Sequence, residues 1–69
     1  MVEIFKTNVQ KKAQRKILLC ILSEAFPSAK INIDLSDCDK VLRVEGDNIE
    51  VLRIMLLVKE NGFKCEIIA

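Results

Sequence analysis

The side chains in this 69-residue chain that could do chemistry include three cysteines, Cys20, Cys38 and Cys65, ten carboxylates and the lysines. There is no His, Trp or Tyr, which removes the imidazole base and with it any Ser–His or Cys–His pair. The cysteines are odd in number and far apart, so they fit neither a paired disulfide framework nor a close-spaced metal motif. Free thiols in a reducing compartment are the reading that follows. Cys20 lies inside the apolar run Ile17–Leu22, and Cys65 alternates with Phe63 and Ile67; both are expected to pack as small hydrophobes in the core. Cys38, in the polar run Ser36–Asp39, is expected to be exposed, with Asp37 and Asp39 disfavouring its thiolate. The run Asp34–Asp39 is acidic, but it lacks the Gly and the terminal Glu of a calcium loop, and turn chemistry accounts for it. No constellation places an acid, a base and a nucleophile together, so the chain is read as non-catalytic, with no cofactor.

The cations form the sharper pattern. Lys6, Lys11, Lys12, Arg15 and Lys16 are five of the eleven basic residues and fall in the first sixteen positions, against the single acid Glu3. Asp34, Asp37, Asp39, Glu45, Asp47 and Glu50 lie elsewhere, so a net charge of +1 conceals a dipolar chain. Lys11 and Lys12 crowd a helix start, where the macrodipole already favours anions by about 0.3–1 kcal/mol each. Asn8, Lys11, Lys12 and Arg15 are therefore candidate ligands for a small anion or for the acidic face of a protein partner. The alternative is that Lys, Gln and Arg are simply good helix formers on a solvated face. Nucleic acid is not expected as a partner, since the net charge is small and no aromatics interleave with the lysines. Met1–Val9 does not read as a signal peptide, and no apolar run approaches the ~20 residues of a membrane span, which predicts a cytoplasmic protein without membrane contact.

The elements that must hold these groups are legible in the periodicity. Val2–Lys6 alternates as a short strand, and Gln10 to Phe26 is free of Gly and Pro. Within that stretch Ile17, Leu18, Ile21, Leu22 and Ala25 make a helical stripe that Pro27 ends. Ile31, Ile33 and Leu35 alternate, Ser36–Asp39 turns, and Leu42 and Val44 alternate on the way back as a hairpin. Asp47 or Asn48 is expected to cap a second helix through Asn61, with Gly62 in the left-handed position after it. Phe63–Ile67 alternates as a last strand. Residues 1–69 thus make one domain, whose length allows about 60% of the unfolded surface to be buried. The order β-α-β-β-α-β predicts an α+β, ferredoxin-like sandwich: a four-stranded antiparallel sheet with two helices on one face and strand order 4-1-3-2. Right-handed crossovers and parallel pairing of the inner strands are expected. On the second helix Val51, Ile54, Met55 and Val58 suit the sheet, with Leu57 beside them. Ile49, Leu52 and Leu56 fall on another side as a surplus apolar surface for a protein partner or self-association.

Several families share this order. The third strand, Lys40–Glu45, has none of the stacking aromatics of an RNA-recognition motif, and two glycines are too few for an acylphosphatase-like phosphate cradle. Over nearly its whole length the chain resembles the heavy-metal-associated domains of copper chaperones and copper-transporting ATPases. The likeness lies in a helix ending at Phe26-Pro27, then Ala29–Leu35, Lys40–Asp47 and the ending Lys59–Cys65. That resemblance implies a Met-x-Cys-x-x-Cys motif where the first strand meets the first helix, two thiolates that a soft metal bridges. The corresponding stretch is Val9–Gln14, with Lys11 and Gln14 where the cysteines belong. The expectation is a small binding or interaction module without the family's metal site. Residual copper or zinc binding through Cys20 and Cys65, or sensing of a small anion, are the alternatives.

Overall fold

The computed structural model describes residues 1–68. In chain order the elements are β1 (Val2–Thr7), α1 (Lys12–Ala25), β2 (Lys30–Asp34), β3 (Val41–Glu45), α2 (Val51–Glu60) and β4 (Cys65–Ile67). The sheet order is β2-β3-β1-β4, as expected. The expected parallel pairing of the inner strands is corrected: β1 and β3 are antiparallel, with Val2 opposite Glu45 and Phe5 opposite Leu42. The physical reason is the hairpin. Its reversal brings β3 back between β1 and β2, so the strands that run in the same direction are never neighbours. The other pairs, β2 with β3 and β1 with β4, are antiparallel too.

Alternation sets the two faces. Phe5, Thr7, Ile33, Leu42 and Val44 are buried on the side covered by the helices, whereas Lys6, Lys30, Asn32, Asp34 and Arg43 are exposed on the other. Leu18 and Leu22 of α1, Ile54 and Val58 of α2, and Val9 complete a fully buried core. Burial of each such side chain contributes about 1.5–3 kcal/mol, so this short list holds most of the hydrophobic drive.

Both helices begin later than their periodicity suggests. At α1 the Gln14 side chain folds back, and its Oε1 accepts from the Gln10 and Lys11 N–H groups at 3.1 Å each, which fixes the start at Lys12. At α2 neither Asp47 nor Asn48 caps. The first helical bond runs from the Ile54 N–H to the Glu50 carbonyl, so the helix starts at Val51 and leaves Ile49 in the segment before it. The end of α2 is as expected, with Gly62 at a φ of +86°.

Two readings of α1 are overturned. Ile17 is 58% exposed, and Cys20 is exposed rather than packed. Leu18 and Leu22 point at the sheet, and at about 100° per residue Cys20, between them, must face away. Leu19 packs beside the core instead.

Candidate functional site

The loop from β1 to α1 is built inward. Thr7 is the one buried polar residue of the described chain; its hydroxyl donates to the Lys40 carbonyl at 2.6 Å and accepts from the Val9 N–H at 3.3 Å. The Thr7 N–H donates to the Asp39 carbonyl, and Val9 beyond it is fully buried. Asn8 Oδ1 accepts the Lys64 N–H at 2.7 Å, which ties the loop to the segment entering β4. The loop is therefore anchored at three points before the helix begins.

Asn8 and Lys11 lie in this loop, Lys12 opens α1, and Arg15 follows about one turn along it. Lys11 and Lys12 are exposed and Arg15 half-buried. Among the described residues the ion pairs are Lys6–Asp39 at 3.6 Å and Arg53–Glu50 at 3.4 Å, so none of these three cations has a carboxylate partner. The first turn of α1 carries no acid either. The Asn8 acceptor and the Gln10 and Lys11 N–H groups are already engaged within the loop. The N–H groups left to face outward are those of Lys12, Ala13 and Gln14.

The second expected surface is reduced. Leu52 and Leu56 project from α2 at 81% and 55% exposure, but Ile49 is half-buried against the core and leaves that surface. Its displacement follows from the late start of α2, which puts Ile49 in the connecting segment. Beside Leu52 and Leu56 runs an open groove of about 460 Å³ that Met55, Lys59, Phe63, Lys64 and Cys65 also line. Alternation alone did not reveal this groove, since it needs the docking of α2 beside β4. A second cleft, about 420 Å³, lies between Phe26, Ala29, Gly46 and Ile49, and Arg53 caps the Phe26 ring at 5.4 Å.

The three thiols occupy separate places. Cys65 is half-buried opposite Thr7, and burial pushes its pKa up to about 11. Cys20 faces away from the sheet on which Cys65 stands, so the two do not form a pair. Asp37, Cys38 and Asp39 have ligand atoms within 4.8 Å of one another, yet they are the hairpin turn itself. Asp37 Oδ1 accepts the Asp39 N–H at 2.8 Å, and Asp39 is the partner of Lys6.

No protein-family model and no curated protein matches the sequence. Among solved structures, the yeast copper transporter domain CCC2A, determined in solution in apo and Cu(I)-loaded states, is similar with a TM-score of 0.82. The identity is 22%, and the match covers 99% of this chain and 94% of that one. The likeness supports the fold, a four-stranded antiparallel ferredoxin-like sheet with two helices.

Proposed function

We propose that residues 1–69 form a single non-catalytic binding module of the cytoplasm, built on a heavy-metal-associated framework whose metal-carrying loop has been given over to protein contact. The observation that carries this reading is the chemistry of the β1–α1 loop. In the position where the resembled family has two thiolates, the chain presents Lys11 and Gln14. An ammonium has no lone pair to offer a soft cation, and the Gln14 oxygen is occupied by two backbone N–H groups. The donor set does not fit copper or zinc. The exposed pair Leu52 and Leu56 supplies an apolar contact, and Lys11, Lys12 and Arg15, unpaired among the described residues, supply positive charge for an acidic partner.

The test is titration of the reduced protein with Cu(I) and Zn(II) against a competing chelator. No stoichiometric binding is expected. One equivalent retained in the C20S/C65S variant would assign metal to other donors and overturn the account of the loop. The unpaired cations beside free helix N–H groups favour a second reading, a small anion as ligand. Inorganic phosphate would then shift the Lys11–Gln14 amide resonances selectively, whereas equal shifts at every lysine would reduce the effect to charge screening.

A further inference from the structure

Among the described residues the sheet has two free edges, and they differ. β2 closes one side of the sheet, and among the described residues no other backbone pairs with its outer edge. Such an edge is a template for another strand, which proteins usually blunt with unmatched charge, a bulge or Pro. β2 is five residues of regular strand, Lys30-Ile31-Asn32-Ile33-Asp34, with Lys30, Asn32 and Asp34 exposed on the outer face and Ile31 and Ile33 turned inward. Its charges are matched by its own sequence read backwards. When two copies meet antiparallel about Asn32, Lys30 of each stands opposite Asp34 of the other, Ile31 opposite Ile33, and Asn32 opposite itself. Odd positions meet odd positions, so both helical layers stay on the same side of the joined sheet. β4, the other edge, has the opposite character: self-pairing about its centre would set Glu66 against Glu66.

Two further observations point to the same edge. Neither Lys30 nor Asp34 has an ion-pair partner among the described residues. The helix above continues the surface: α1 packs over β2, and Phe26 at its end looks toward α2, since Arg53 lies against its ring. Ile17 is about 180° around α1 from Phe26. The exposed Ile17 is therefore on the β2 side of α1, with half-buried Ile21 one turn further along the helix. A second copy on that edge would bring the same Ile17–Ile21 flank against it.

We propose that β2 pairs antiparallel with β2 of a second copy of this chain, joining two four-stranded sheets into one across a two-fold axis at Asn32. This surface is separate from the basic loop and from Leu52 and Leu56, and stands or falls without them. The experiment is a concentration series of the full chain by sedimentation equilibrium and by amide NMR. A monomer–dimer equilibrium is expected, with concentration-dependent shifts confined to Lys30–Asp34 and to the Ile17 and Ile21 flank. K30E creates two like-charge contacts and is expected to weaken the dimer about tenfold, while K30E/D34K restores it to within about threefold of the original. Circular dichroism of each variant separates lost association from lost folding, and the shift map of the unmodified chain needs no variant at all. A chain that stays monomeric throughout, shifts that fall on Leu52 and Leu56 instead, or a folded K30E/D34K no tighter than K30E would overturn the proposal.

Discussion

Asp34 closes β2 with its own side chain: Oδ1 accepts the Ser36 hydroxyl at 2.6 Å and the Ser36 N–H at 3.0 Å. These bonds, the hydroxyl first, hold its carboxyl below the ordinary value of 3.8. A carboxyl lowered on folding stabilises the native state above its unfolded pKa and loses that contribution as pH falls through the folded one. Ser36→Ala removes the larger of the two bonds and leaves the N–H. The Asp34 pKa, followed by carboxyl NMR, is expected to rise toward 3.8 and the acid limb of the stability profile to become shallower. An unchanged pKa in that variant would assign the shift to the backbone N–H groups of Ser36 and Asp37 and the Lys40 charge. Cys65 moves in the other sense, its thiol kept protonated by burial. At this scale the sequence identified the chemistry of each side chain, but the states of Asp34 and Cys65 depend on groups that folding brings against them.

The element scale is where glycine and capping decide boundaries. Gly62 ends α2 at a φ of +86°, and a Cβ there would meet nothing within 4 Å. The whole cost of Gly62→Ala is therefore backbone strain, about 1–2 kcal/mol, to be read as a lower urea midpoint. Gly46→Ala is the contrast: its Cβ would sit 3.6 Å from Ala29, ordinary contact without a left-handed backbone, and it should cost less. Similar losses at both positions would mean that the close approach to Ala29, not the sign of φ, governs. The ends of both helices were legible because Pro27 and Gly62 impose local backbone rules. Their starts were not. Gln14 reaches back across the first turn of α1, and Ile49 is drawn to the core ahead of α2, and both choices are made against competing local signals.

Taken as a whole molecule, the chain divides its apolar residues between a core and a surface, and energetics should separate the two. Ile54 is fully buried at the centre of α2, so Ile54→Ala is expected to cost about 2–4 kcal/mol. Leu52→Ala and Leu56→Ala remove exposed side chains and should each change stability by less than about 0.5 kcal/mol. Denaturant unfolding of the three variants checks this. A loss above about 1 kcal/mol at Leu52 would show that it packs in solution. The placement of Ile17, Leu52 and Leu56 outside the core follows from having only two layers. One sheet face can cover one stripe of each helix, and the remaining apolar residues stay in solvent or meet another chain.

The sequence by itself determined the element order, the β2-β3-β1-β4 arrangement, the inward set Ile33, Leu42, Val44, Ile54 and Val58, and the lack of a cysteine before Cys20. Periodicity and residue identity are local properties, and the hairpin and crossover rules leave few topologies for six such elements. Tertiary structure decided which side of α1 faces the sheet, and with it the exposure of Ile17 and Cys20 and the withdrawal of Ile49. Those outcomes depend on how the layers share a limited buried area. A stripe of neighbouring apolar positions cannot specify which of its members the other layer will reach.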